Sequence, residues 1–141
     1  MKRLAASLIL LFPAGCDDYG HVVVNRGEVC VDREQVLEFK QTGELALSVR
    51  MDCESRCIEN EETFCEASID GPVINLHSEF LWSEKAEQDC SLKCEELAAR
   101  CVLPQTYPGT YTLVHGRDQY TIELPSNPLI DCLAPMDEQA D

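Results

Sequence analysis

Apolar and polar residues alternate along several short stretches of this chain. The clearest stretch covers residues 45–53, where Leu45, Leu47, Val49, Met51 and Cys53 alternate with smaller or polar residues. A repeat of two places one face of a strand in the core and the other face in water. The same pattern predicts strands at 22–24, 35–40, 63–69, 74–82, 110–115 and 119–124, with turns at 70–72 and 116–118. Seven short strands predict a mainly β fold, organised as a small β-sandwich.

Residues 83–100 break the alternation. Ala86, Cys90, Cys94, Leu97 and Cys101 recur every three or four positions, which is the spacing of one helix face. The sequence therefore predicts one or two short helical segments within residues 84–99, packed against the sheet by their cysteines.

The first residues of the chain have the pattern of an export signal. Two basic residues, Lys2 and Arg3, precede an apolar run over residues 4–12. Nine helical residues cover less than half of a bilayer core of about 30 Å, so this run is typical of a signal peptide rather than of a membrane span.

The apolar run is followed by Pro13, Ala14, Gly15 and Cys16. Small residues before a cysteine resemble the lipobox of bacterial lipoproteins, although Pro13 stands where that family usually has an aliphatic residue. The resemblance implies cleavage after Gly15, lipid attachment (palmitate-type acyl chains) to Cys16 and a place in the bacterial cell envelope, periplasmic or surface-exposed. The membrane leaflet stays open, and so does an ordinary secretory signal cut nearby.

This interpretation divides the chain into four parts. Residues 1–15 are the signal peptide, 16–27 the lipid-attachment cysteine and a tether, 28–133 a cysteine-rich sandwich domain, and 134–141 an acidic flexible tail. A single acyl chain gives only reversible membrane binding, so stable anchoring needs two or more.

The number of cysteines supports the interpretation of a signal peptide followed by lipid attachment at Cys16. The chain has nine cysteines, and assigning Cys16 to the lipid leaves an even number. An even set in an exported chain indicates a disulfide framework. The candidate disulfide cysteines are Cys30, Cys53, Cys57, Cys65, Cys90, Cys94, Cys101 and Cys132.

Six of these cysteines form two similarly spaced triplets, Cys53-x₃-Cys57-x₇-Cys65 and Cys90-x₃-Cys94-x₆-Cys101. Three cysteines cannot pair among themselves, so each triplet sends at least one bond to the other triplet or to Cys30 or Cys132. A Cys90–Cys94 bond is disfavoured, because cysteines four positions apart on the predicted helix point the same way. The remaining pairings stay open. Zinc is not predicted, because both close pairs have three intervening residues and exported cysteines oxidise.

A second resemblance lies at residues 108–114, Pro-Gly-Thr-Tyr-Thr-Leu-Val. This run is similar to a turn and strand of immunoglobulin-like and carboxypeptidase-regulatory-like β-sandwich domains. The resemblance implies an immunoglobulin-like sandwich in which Pro108 and Gly109 make the turn. Tyr111 would sit at the corner, with its ring in the core and its hydroxyl on nearby backbone. It implies no catalytic residue.

Charge and motifs narrow the chemistry. With 11 Lys and Arg against 26 Asp and Glu, the net charge is −15, which argues against nucleic acid as a partner. His21, His77 and His115 have no metal-ligand spacing, and all three are expected at the surface. Acidic runs such as Glu59, Glu61 and Glu62 are expected on a solvated face. No cofactor, metal site or catalytic motif is predicted.

These observations favour a lipid-anchored, disulfide-stapled envelope protein that is a non-catalytic binding or structural module. Its membrane contact would be the lipid on Cys16, and its partner an envelope protein or polysaccharide. Two alternatives stay open. One is a small enzyme or accessory subunit that uses an unidentified acidic pair, and the other is a soluble secreted inhibitor-like factor.

Overall fold

A computed structural model describes residues 20–31, 33–86, 90, 93–103, 105–125 and 132–136, with the side chains of residues 33–35 left aside. The predicted signal peptide and Cys16 lie outside the described residues, as do residues 137–141 of the predicted tail. The elements are β1 (His21–Val24), β2 (Glu28–Cys30), α1 (Arg33–Thr42), β3 (Leu45–Met51), β4 (Ile58–Asp70), β5 (Val73–Glu84), β6 (Leu97–Leu103), β7 (Gly109–His115) and β8 (Asp118–Leu124).

The larger sheet is built around β5, whose alternating residues make one buried face. Strand β4 pairs antiparallel along its length. The other edge of β5 is shared, since β1 pairs antiparallel with residues 79–82 and β7 pairs parallel with residues 73–76. Strand β8 pairs with β7 as a hairpin across Gly116 and Arg117, as predicted. The parallel β5–β7 pair is a feature that an all-antiparallel immunoglobulin sandwich does not have.

The smaller sheet has the order β2-β3-β6, with both pairs antiparallel. Leu47 and Val49 of β3 meet Ile74, Phe80 and Leu113 of the larger sheet in one buried apolar cluster. Two sheets that share one core confirm the mainly β, disulfide-stapled sandwich.

Helix α1 corrects the strand predicted at residues 35–40. Val36 and Phe39 are buried, whereas Leu37 is 58% exposed. A strand would have put Leu37 and Phe39 on the same face, so the step of three between the two buried residues is the helical signal. Gly43, with a φ of 74°, ends the helix, and its N–H donates to the carbonyl of Phe39.

The helix changes the environment of β3. Ala46 and Ser48, expected on a wet face, are buried. Helix α1 packs against β3, so this strand is buried on both faces. The alternation of apolar with smaller or polar residues along β3 therefore does not indicate which side chains are exposed.

The helix predicted within residues 84–99 is wrong where the structure describes it. Glu84 ends β5, Leu97 and Ala99 belong to β6, and residues 85, 86, 90 and 93–96 are neither helix nor strand. Residues 87–89 and 91–92 of that prediction lie outside the described residues.

The first and last described segments of the chain both contact the sandwich. Strand β1, the edge strand predicted at 22–24, lies inside the predicted tether and adds to the larger sheet. At the other end, the N–H of Met136 donates to the carbonyl of Gln119. Among the described residues, no helix is long and apolar enough to cross a membrane.

Candidate functional site: the disulfide framework and its clefts

All the cysteines predicted to form the framework are paired. The bonds are Cys30–Cys132, Cys53–Cys94, Cys57–Cys90 and Cys65–Cys101. Each cysteine of the first triplet is joined to one of the second, and Cys30 and Cys132 join each other. Because a cysteine forms one disulfide, Cys16 has no thiol partner left within this chain.

The matched Cys-x₃-Cys spacing has its explanation in this pairing. Cys53 pairs with Cys94 and Cys57 pairs with Cys90. The two segments therefore run in opposite directions and are crosslinked at two matching positions. The spacing of four therefore reflects two crosslinked segments, and not one face of a helix.

The Cys65–Cys101 bond joins the edge strands of the two sheets. Strand β4 is at the edge of the larger sheet and β6 at the edge of the smaller one, and the Cα atoms of Cys65 and Cys101 are 4.9 Å apart. Beside this bond lies a cleft of about 460 Å³, which we call the seam cleft. Its polar side chains come from three strands: Glu66, Ser68, Asn75, His77 and Arg100.

A second cleft, the loop cleft, lies beside the Cys53–Cys94 and Cys57–Cys90 bonds and has a volume of about 190 Å³. Three cationic side chains, Arg56, Lys85 and Lys93, line it together with Glu61 and Glu95. The acidic run predicted on a solvated face lies in β4, and its member Glu61 is exposed while also lining this cleft.

The three histidines occupy different environments. His21 is half-exposed and stacks on Trp82, and His77 lies on the outer face with its Nε2 2.8 Å from Oε1 of Glu79. His115, expected at the surface, is only 1% exposed. His115 and Leu113 are two positions apart, so both side chains lie on the inward face of β7. This spacing indicates burial of His115, whereas its position beside a turn suggested exposure.

His115 belongs to a buried polar cluster. Its Nε2 lies 2.8 Å from Oγ of Ser78, and the backbone N–H of Ser78 donates to Oδ1 of Asn25 at 2.9 Å. The Nδ1 of His115 has no hydrogen-bond partner in the described part of the chain. Burial lowers the pKa of His115; Asp118 opposes this lowering and His77 adds to it.

The Ser78–His115 pair has the contact of a serine nucleophile with its base. Both side chains are buried in the core, however, and Nδ1 of His115 bonds no carboxylate among the described residues. A substrate would not reach Oγ of Ser78, so the pair is a polar element of the core.

The Tyr111 hydroxyl donates to the carbonyl of Tyr107 at 2.9 Å, and the Tyr111 ring packs against the core from a partly buried position. Pro108 and Gly109 precede it at the start of β7. This is the local geometry that the second resemblance implies, and the family resemblance itself stays a prediction.

One group of metal-ligand residue types comes together among the described residues: Glu28, Cys30 and Cys132. Both sulfurs are consumed by the Cys30–Cys132 disulfide. A disulfide sulfur is not the thiolate that binds metals, so this group carries no metal proposal.

No protein-family model, no curated protein and no solved structure matches this chain.

The cleft residues Arg56, Lys85 and Arg100 were not predicted from the sequence. Single basic residues spread along an acidic sequence form no motif that would predict a binding site. The signal that leads to Arg56 is its place between Cys53 and Cys57, since the disulfide pairing fixes where that loop lies.

Proposed function

We propose that this chain is an exported bacterial lipoprotein, anchored through Cys16, whose disulfide-stapled sandwich is a non-catalytic binding module of the cell envelope. The observation that carries the proposal is the complete pairing of the other cysteines, which leaves Cys16 alone without a partner. Four disulfides are typical of proteins that fold in an oxidising compartment.

The acidic charge supports a module that extends away from the membrane. Cleavage after Gly15 removes Lys2 and Arg3, so the mature chain is two charges more negative than the −15 of the whole chain. Anionic lipid repels such a chain. In this proposal, the seam cleft and the loop cleft are the surfaces that bind an envelope protein or polysaccharide.

Lipid labelling tests the anchor. The full chain, expressed in a bacterial host with radiolabelled palmitate, is expected to incorporate label and to fractionate with membranes. The variant Cys16→Ser is expected to lose both properties. The control variant Cys53→Ala with Cys94→Ala keeps Cys16 and is expected to retain the label.

Label retained by Cys16→Ser would overturn the anchor at that residue. An unlabelled native chain found in the medium would support the soluble secreted alternative instead. The enzymatic alternative stays a prediction.

A further inference from the structure

We propose that the loop cleft binds the phosphate group of a hydroxyl-bearing ligand, such as a phosphorylated envelope glycan. This inference deepens the proposed binding function and rests on it only for its biological setting. The loop cleft is defined by Arg56, Lys85 and Lys93 together with Glu61 and Glu95.

The first argument is the concentration of positive charge. Three of the chain's 11 Lys and Arg residues line one small cleft, although acidic residues outnumber basic ones by more than two to one. In the described part of the chain, neither the Arg56 guanidinium nor the Lys85 ammonium has a carboxylate within ion-pair distance. Two cations are therefore free to bind an anion, while most of the remaining surface repels one.

The second argument is that the cleft is preformed. The Cys57–Cys90 bond fixes the loop that carries Arg56, and the N–H of Lys85 donates to the carbonyl of Cys57 at 2.7 Å. The N–H of Cys57 donates in turn to Oγ of Ser55 at 3.1 Å. Binding to such a cleft costs little loop ordering, because the disulfide and these hydrogen bonds already hold its backbone.

Size and chemistry define the ligand. The volume of about 190 Å³ is below the range of about 300–1,000 Å³ for sites that enclose a drug-sized molecule. It suits one anionic group. Arginine binds phosphate through paired N–H donors. Glu61 and Glu95 accept hydrogen bonds and repel a second anion, so hydroxyl groups beside the phosphate fit them.

The test titrates the oxidised full chain, in detergent, with inorganic phosphate and with glucose 1-phosphate, while backbone amide shifts are followed by NMR. We expect saturable shifts around Arg56 and Lys85, with tighter binding of the sugar phosphate. Loss of two charge-assisted contacts in Arg56→Gln with Lys85→Gln is expected to weaken binding about tenfold or more. The charge-matched control, Arg26→Gln with Arg117→Gln, is expected to bind like the native chain.

Absence of saturation with both probes overturns the proposal, and so does an equal loss in the two double variants, which would indicate diffuse charge. The variant Cys16→Ser is expected to bind both probes normally, so a failure of the anchor and a failure of this site are distinguishable.

A vesicle arm identifies the source of the phosphate. We expect the Cys16→Ser chain not to sediment with vesicles of anionic phospholipid, which supports a glycan or free phosphate as the source. Sedimentation that is lost in Arg56→Gln with Lys85→Gln supports phosphate recognition with a lipid headgroup as the source. Sedimentation that those substitutions leave unchanged, without saturation by the soluble probes, overturns the site.

Discussion

At the residue scale, Gly116 combines two constraints in the β7–β8 turn. Its φ is 63°, and a Cβ at this position would lie 2.7 Å from the backbone oxygen of Asn25. Asn25 is held in place because its own N–H donates to the carbonyl of Ser78. The turn is therefore fitted closely against the residue that follows β1.

We predict that Gly116→Ala destabilises the protein more than Gly71→Ala. Gly71 has a φ of 56° but nothing within 4 Å of an added Cβ. We expect Gly71→Ala to lower the unfolding free energy by about 1–2 kcal/mol, because alanine disfavours a left-handed backbone. Gly116→Ala is expected to lower it by this amount and, in addition, by the free energy needed to move the backbone at Asn25. Urea denaturation of both variants checks the order, and equal losses would contradict it.

His115 predicts a defined pH dependence. Its folded-state pKa is lowered, mainly by burial, so below the unfolded value of about 6.5 the unfolded chain binds a proton that the folded chain resists. Protonation of His115 in the unfolded chain therefore lowers the unfolding free energy as the pH falls from about 6.5 towards the folded pKa.

The variant His115→Gln removes this titration, so its unfolding free energy is expected to fall less steeply than that of the native chain over this pH window. Urea denaturation at a series of pH values measures both slopes. A native slope in His115→Gln would show that another group dominates.

At the element scale, β4 is a 13-residue strand at the edge of the larger sheet. Most of its side chains are exposed, including Phe64. Its acidic residues, among them Glu62 and Glu66, discourage edge-to-edge association. The Cys65–Cys101 bond attaches this edge to β6 of the other sheet.

We predict that Cys65→Ala with Cys101→Ala speeds amide hydrogen exchange along β4, because that strand loses its covalent attachment to the opposite sheet. The matched variant Cys57→Ala with Cys90→Ala is expected to speed exchange mainly at residues 53–58 and 93–96. Exchange followed residue by residue separates the two patterns. Uniform acceleration in both variants would indicate that the disulfides act only on global stability.

At the scale of the whole molecule, covalent bonds supplement a small core. Each disulfide contributes about 2–4 kcal/mol, largely by restricting the unfolded chain. Cys30–Cys132 spans 102 residues and closes most of the described domain into a loop. Together the bonds rival a typical total stability of about 5–15 kcal/mol.

Reduction is therefore expected to unfold the protein or to lower its Tm strongly. Calorimetry with and without dithiothreitol measures the effect, with free thiols counted to verify complete reduction. A Tm that reduction leaves unchanged would show that the apolar core alone stabilises the fold.

Local patterns along the chain were enough to predict most of the strands. Period-two alternation marked β3, β5 and β8, and glycine-containing turns marked the β4–β5 and β7–β8 connections. Cysteine parity predicted a framework. These features lie in neighbouring residues, where backbone geometry alone relates sequence to structure.

Only the tertiary structure decided which segments meet. Two of the described side chains of α1, Val36 and Phe39, are buried, and two positions are too few to predict a helix rather than a strand without β3 packed against them. Cys90 and Cys94 have helical spacing because two distant cysteines with the same spacing bind them. The clefts combine residues from separate elements, and contacts between distant segments leave no periodic signal in the sequence.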